Sequence, residues 1–295
     1  MSENRMLAVT SDYFQSEGDP LPYLKRIAEA GFTHIHWCHH WNTDFLYPNH
    51  EIEAIGRWFK EYRLRLLNLH ASHGREKYWV SQFEYQRLAG VELLQNRIQM
   101  TARLGGDVII IHIPTTQPHD TRSSWLKQIR KSLDQLEPFA TRHAVRIALE
   151  NMPGGDFEML DTLLAEYNSE FLGVCFDTGH ANLDGYGFEH LKRLKSRLIA
   201  VHLHDNDGVN DQHKIPFTGT VDWDDFTDVI ASSSYNGCVN LEVGIHETGY
   251  KDEAAFLKHT RLAGEKLTSM IKANKVIQSQ PITTDHSEYV DGVSK

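Results

Sequence analysis

The feature that most constrains this chain is an alternation. Short β-branched or apolar runs, each followed by a longer amphipathic segment, repeat through almost its whole length. A chain patterned this way builds a parallel sheet covered by helices, because each crossover helix must bury one face on the strands it connects. The predicted strands cover residues 6–9, 34–37, 64–69, 108–113, 145–149, 172–176, 198–203 and 239–242. The predicted helices cover residues 20–30, 52–62, 84–104, 125–142, 157–167, 188–195, 223–231 and 253–272. Gly31, Gly105, Gly106 and Gly237 fall where helices hand over to strands.

Val108, Ile109, Ile110 and Ile111 form a continuous apolar run, the pattern of a strand buried on both faces. Eight such units in 295 residues suit a closed barrel, which typically takes about 250 residues. The competing doubly wound open sheet lacks its signature, since no GxGxxG turn follows the first strand. The predicted fold class is α/β, a single (β/α)8 TIM barrel over residues 1–274 with a polar C-terminal tail over residues 275–295. That tail loses helical periodicity and carries Pro281 and Gly292; it is expected to be disordered or to dock on a partner subunit, with its His286 solvated.

Composition narrows the chemistry. The formal charge of −10 disfavours nucleic acid as a general partner, because nonspecific binding requires Lys and Arg to neutralise phosphates. No apolar run approaches the roughly 20 residues of a membrane span, and the N-terminal MSENRMLAVTSDYF lacks a secretory apolar core, so a cytoplasmic location without a membrane partner is expected. Cys38, Cys175 and Cys238 form no CxxC pair and read as reduced thiols. The 18 histidines are more telling, because they cluster beside carboxylates, where metal chemistry is found.

Barrel active sites lie at the C-terminal ends of the strands, and here those ends are polar. They carry His70, His112, Glu150, Asp177 followed by His180, the pair His202 and His204, and Glu242. Taken singly, each has a bland reading: a carboxylate ending a strand can cap the next helix, and one histidine can be a satisfied polar group. Taken jointly they cannot all be bland, since a barrel brings them around one axis, where buried carboxylates repel unless a cation lies between them. His202 and His204 are two apart and project to the same side of their strand. Asp211 and His213 sit on a polar loop able to fold over the mouth. His36, Trp37 and Trp41 can form an aromatic and polar wall for a sugar face, although Trp37 and Trp41 can equally pack under a helix. Asp156 can bond a sugar hydroxyl or cap the fifth helix.

The segments IALENMPG (147–154), VCFDTGHAN (174–182), VHLHDNDG (201–208) and DQHKIP (211–216), in this order and spacing, resemble the xylose isomerase-like barrel superfamily over roughly residues 5–270. That superfamily includes sugar phosphate isomerases and epimerases and the endonuclease IV branch. The resemblance implies a metal held by Glu150, Asp177, His202 and Glu242. It gives His70, His112, His180, His204, Asp211 and His213 to substrate or additional metal, and Glu150 and Glu242 a second role as the acid/base pair. His204 is left either as the alternative ligand to His202 or as a group that orients substrate. Three carboxylates and one imidazole make a hard site, for which Mn2+ is the leading divalent metal and Mg2+, Co2+ and Zn2+ are further fits. The implied activity is a metal-dependent isomerase or epimerase that moves a proton through a metal-stabilised enediolate.

Three other classes compete. A dehydratase or lyase can use the same scaffold. His70, His112, His180, Asp211 and His213 also match positions that complete the three-zinc site of the nuclease branch, which implies an AP endonuclease-like phosphodiesterase. Against it, the mouth segments at 150–155, 177–187 and 204–213 carry no Lys or Arg, and Ile113-Pro114-Thr115 departs from the Pro-Gly-Ser of that branch. A noncatalytic binding module would leave Glu150 and Glu242 idle. With no Gly-rich phosphate cradle or Lys/Arg cluster after strands seven and eight, the expected partner is an unphosphorylated small-molecule sugar, polyol or sugar acid, with a homo-oligomer compatible.

Overall fold

In a computed structural model that describes residues 6–71, 74–113 and 122–279, the expected barrel is present. Its strands are β1 (Leu7–Thr10), β2 (His34–Trp37), β3 (Arg65–His70), β4 (Val108–His112), β5 (Arg146–Glu150), β6 (Leu172–Asp177), β7 (Leu198–His202) and β8 (Val239–Leu241). Around them run α1 (Leu21–Glu29), α2 (Asn49–Tyr62), α3 (Glu84–Arg103), α4 (Arg122–Arg142), α5 (Phe157–Glu166), α6 (Thr178–Asp184), α7 (Gly187–Leu194), α8 (Trp223–Ala231) and α9 (Glu253–Ser279). All ladders are parallel, in the spatial order β7-β6-β5-β4-β3-β2-β1-β8. The ring closes just beyond β7, where Leu203 N donates to Asn240 O at 3.0 Å and Glu242 N donates to Leu203 O at 3.2 Å.

The pleat decides which residues reach the site. Ile109, Ile111, Ile147, Leu149, Val174 and Phe176 belong to the layer between strands and helices. Their alternates Val108, Ile110, Ala148, Cys175 and Ala200 pack separately inside the barrel. With a period of two, the next inward positions are His112, Glu150, Asp177 and His202, one residue from the ends of the apolar runs. Ladder register sets His112 beside Glu150, and Asp177 beside His202. The small residues beneath, Ala148, Cys175 and Ala200, leave the large polar side chains to fill the upper layer.

Two departures from the expected elements matter. The seven-residue α6 is absent from the predicted helices; it begins directly at the end of β6 because the Asp177 side chain accepts from His180 N at 2.7 Å and caps it. The last helix runs to Ser279, beyond the end expected at residue 272, so the first residues of the tail expected to lack helical periodicity are helical. The remainder of the tail, residues 280–295, and Pro114 lie outside the described residues. Among the described residues no helix is long and apolar enough to cross a membrane.

Two helical glycines provide opposite tests of this packing. A Cβ on Gly90 in α3 would lie 2.2 Å from Trp79 N, a backbone atom, whereas one on Gly56 in α2 would meet only Leu104 Cδ2 at 3.5 Å. Gly90→Ala is expected to destabilise the fold by roughly 1–3 kcal/mol through overpacking. Gly56→Ala is expected to stabilise it by up to about 1 kcal/mol through helix propensity. Denaturant melts of the two variants check both signs.

Candidate metal centre

Four strand ends meet at the floor of the barrel mouth. His202 Nδ1 lies 3.0 Å from Glu150 Oε1, 3.0 Å from Glu242 Oε2 and 3.9 Å from Asp177 Oδ2. One donor atom from each of Glu150, Asp177, His202 and Glu242 lies within 4.8 Å of the others, and all four side chains are buried. Yet neither ring nitrogen of His202, nor Glu150 Oε2, makes a hydrogen bond of acceptable geometry. Buried polar atoms left without partners are costly. Three carboxylates and an imidazole around that point fit a divalent cation. Burial works to raise the Glu150 and Glu242 carboxyls, but the His202 charge holds both well below the ordinary carboxylate range, with His112 assisting at Glu150 and His36 at Glu242. Burial opposes the charge on His202 itself; Cys175, Glu150 and Glu242 push its value up. A proton on His202 thus occupies the electrostatic place that a cation would take.

Two further groups flank the quartet. His70 Nε2 and His112 Nε2 are 3.0 Å apart, and each lies 3.5 Å from Glu150 Oε2. On the other side, Asp211 Oδ2 lies 3.3 Å from both His180 Nε2 and His213 Nε2. His180, His204, Asp211 and His213 form a second set with convergent donor atoms. Burial lowers His180, but Asp177, Asp211 and Glu150 overcome it and raise the imidazole to about 10. His213 is raised to about 9 by Asp211 and Glu242, also against burial. Burial acts to raise Asp211, yet the two histidines hold it far below the usual range. His213 adopts a left-handed φ of 45°, and its Nδ1 donates to Glu242 O at 3.0 Å, so the loop is pinned over the end of β8.

Above the quartet opens a cavity of about 420 Å³, lined by Thr10, Asp12, Trp41, His70, His112, Glu150, Met152, His180, Asp211, His213, Glu242, Val243 and Gly244. Glu150 and Glu242 reach this cavity, while Asp177 and His202 lie beneath it. Among the described residues no Lys or Arg lines it.

Besides Asp177, His202 and His204, three sequence candidates fall outside the cavity lining. His36 is buried below the floor, with Nδ1 2.6 Å from Asn68 Oδ1, Nε2 3.4 Å from Glu242 Oε1 and its ring 4.5 Å from that of His202. Trp37 has the opposite strand parity, so it turns outward and donates from Nε1 to Tyr47 OH at 3.0 Å, whereas Trp41 lines the cavity. Asp156 caps α5, accepting from Met159 N at 2.9 Å, and pairs with Arg122 at 2.6 Å, so it does not reach the quartet.

The strand-end rule also covers residues absent from the sequence candidates. Asp12 and Thr10 close β1 just as Glu242 closes β8, and Thr10 Oγ1 donates to the Asp12 carboxylate. Burial and the nearby Glu242 charge push the Asp12 carboxyl up, against that hydrogen bond. Asn151 clamps Asp177, accepting from its N–H at 2.8 Å and donating to its carbonyl at 3.0 Å. Its place directly after Glu150 is the signal that the sequence offers for it.

A family model described as "Xylose isomerase-like TIM barrel" matches residues 24–260. The uncharacterized protein y4fM of Sinorhizobium fredii is 33% identical over 246 residues, covering 74% of this chain and 79% of the relative. A probable endonuclease 4 of Staphylococcus saprophyticus is 32% identical over 137 residues, 41% of this chain and 45% of that protein. Among solved structures, a D-tagatose 3-epimerase-like protein superposes with a TM-score of 0.75 at 21% identity, covering 93% of this chain and all of the other, a likeness of fold.

Titration offers a direct check on the flanking groups. In metal-free protein, His180 and His213, raised to about 10 and about 9, hold protons that an ion would displace. Adding Zn2+ to metal-free protein at pH 7 in weak buffer is therefore expected to release protons, with apparent affinity rising as pH rises toward 9. The stability of the metal-free fold runs the other way. Raised histidine values stabilise fully below the ordinary value of about 6.5, and this contribution is lost as pH rises through the folded values. Melts of metal-free protein from pH 6 to 10 should show Tm falling across that window; a flat profile would count against charged histidines in the flanking group.

Proposed function

Because the chain belongs to the xylose isomerase-like TIM barrel family, we propose that it is a divalent-metal-dependent isomerase or epimerase of an unphosphorylated sugar, polyol or sugar acid. One observation carries this reading. Of the four quartet residues, the two that also line the cavity are Glu150, which ends β5, and Glu242, directly after β8, on strands three places apart in the ring of eight. A substrate carbon seated between them has one carboxylate on each face.

The ion would supply Lewis acidity toward a carbonyl and its neighbouring hydroxyl. The protein supplies the rest. Glu150 and Glu242 are held ionised by their neighbours, so either can accept the proton from the carbon next to the carbonyl while the other, once protonated, returns one. Trp41, Met152 and Val243 offer apolar surface to the C–H face of a sugar, and Asp12, Thr10 and His213 offer hydroxyl partners. A cavity without Lys or Arg among its described lining suits an unphosphorylated ligand. Mn2+ is the leading candidate for the hard, oxygen-rich quartet. The fold shared with a D-tagatose 3-epimerase-like protein supports the same class.

The flanking groups favour a second reading, a polynuclear zinc phosphodiesterase. His70 and His112 converge on Glu150 Oε2, and His180 and His213 converge on Asp211, which makes room for ions on either side of the quartet. The two readings part at Glu150: a carboxylate with both oxygens engaged as ligands would have none free to accept a substrate proton.

Two measurements decide between them. Metal analysis of purified protein is expected to give one tightly held Mn or Co per chain, whereas three zinc ions with cleavage of an abasic-site oligonucleotide would establish the hydrolase. Incubation with a panel of free ketohexoses and ketopentoses in D2O is expected to incorporate deuterium next to the carbonyl. Glu150→Gln and Glu242→Gln, checked for retained metal, should each lower the exchange by at least about a hundredfold. Retained exchange in either variant would remove that residue from proton transfer, and conversion to a dehydrated product would move the activity to the lyase class.

A further inference from the structure

We infer that His204 is a positioning residue of the metal centre: it holds the Asp177 carboxylate in the orientation that faces the ion, without ligating an ion itself. This inference concerns how the centre is held, so it rests on the quartet and not on the sugar reaction. His204 is fully buried, and its Nε2 lies 3.0 Å from Asp177 Oδ2. The other oxygen, Oδ1, accepts from His180 N at 2.7 Å. Each oxygen of Asp177 is thus fixed by one donor, and turning the carboxylate would break both bonds. Each oxygen keeps a second lone pair, and Oδ2 is the one that lies toward His202, 3.9 Å from its Nδ1.

The imidazole is held as firmly as the carboxylate it holds. Its ring stacks on that of His213 at 4.0 Å between centroids with an interplanar angle of 6°. Its backbone is tied to Thr178, whose Oγ1 donates to His204 O at 2.8 Å. Gly179 supplies the space, since a Cβ there would lie 1.9 Å from His204 Cε1 and 2.7 Å from Nε2. Any side chain at position 179 would push the ring off Asp177.

Two observations separate positioning from ligation. Nδ1 of His204 is buried with no partner, and Nε2 faces a carboxylate oxygen at hydrogen-bond distance. That places the proton on Nε2. The same Nε2 is the atom nearest the flanking group, 3.9 Å from Asp211 Oδ1, so the nitrogen directed toward a second ion is the one already donating. An imidazole that donates to a carboxylate ligand fixes that ligand's direction, and loss of such a partner typically costs ten- to a hundredfold in metal affinity.

The test uses the metal-free full-length chain and Mn2+ alone, with free Mn2+ followed by electron paramagnetic resonance. His204→Ala is expected to weaken the tightest site about ten- to a hundredfold at unchanged stoichiometry. His204→Gln, whose amide N–H reaches about as far as Nε2, should stay within about threefold of the parent. Gly179→Ala should weaken binding as much as His204→Ala does, yet change it less than about twofold when made on top of His204→Ala, because the ring it displaces is then gone. Equal losses from Gly179→Ala in both backgrounds would mark general damage and overturn the inference. So would the loss of one whole ion per chain in His204→Ala, which would make His204 a ligand, or a parent protein that binds no Mn2+. Should His204→Ala fail to fold by circular dichroism, the ordering of the other two singles decides: a weak Gly179→Ala beside a near-parental His204→Gln supports positioning, and the reverse order overturns it.

Discussion

Glu150, Asp177 and Glu242 are buried around one imidazole, His202, and much of the upper barrel is arranged to tolerate that concentration of charge. Bringing carboxylates out of water is costly unless positive charge or hydrogen-bond donors meet them. The chain meets them from several elements at once. Asn151 secures the backbone of Asp177, the start of α6 and His204 secure its oxygens, and Asn68 orients His36 beside Glu242. Small inward residues one layer below, Ala148, Cys175 and Ala200, make the room. The barrel's parity is what allows four strands to deliver one side chain each to the same point.

The four side chains of the quartet differ in their access to the cavity. Asp177 and His202 lie under the floor, where they are enclosed by protein, while Glu150 and Glu242 span the floor and the cavity. The walls are held by groups remote from the chemistry. Arg97, fully buried, donates to Phe45 O at 2.7 Å and lies 4.6 Å over the Tyr47 ring, tying down the loop that carries Trp41. Asp205 accepts from Val221 N at 3.1 Å and Trp223 Nε1 at 2.9 Å, anchoring the loop on which Asp211 and His213 stand. A rigid rim of this kind keeps donor atoms at fixed separation, which both proton transfer and ion selection require.

The strand ends are legible because a polar residue that breaks an apolar run at period two is a positional signal, and the ladder register does the rest. The eight strands and the polar residues at their ends can be read this way, whereas the ligand quartet comes from the family resemblance, and His180 on α6 and His213 on the loop after β7 stand outside the pattern. Other features depend on information that a linear pattern does not carry. Trp37 and Trp41 look alike in sequence, but only strand parity and the following loop decide that Trp41 meets the cavity. By its place in the sequence Asp177 is either a cap or a charged site residue, and it is spatially both, one oxygen serving α6 and the other turned to the quartet. Helix α6 itself is seven residues long with a glycine inside it, too short for a periodic signal. Asp12 obeys the strand-end rule, yet it follows the end of β1 by two residues and stands among polar neighbours that hide it.

The pattern of hydrogen bonding gives the strongest physical reason to read the centre as a cation site. Polar groups at its edge are paired: Asn151, Asn206, Asp205 and His36 each have partners at ordinary distances. At its middle the pairing stops, with Glu150 Oε2 and both nitrogens of His202 left without one. Other buried polar atoms of the described residues also lack a partner, but those of Glu150 and His202 belong to side chains that each bring a donor atom to one point. Protons could neutralise the three carboxylates, but each added proton would have several nearly equivalent oxygens to choose from, and no single arrangement would be favoured. One divalent ion would meet a donor atom from each of the four side chains at once, and Asn151, the N-terminus of α6 and His204 hold Asp177 in place for it.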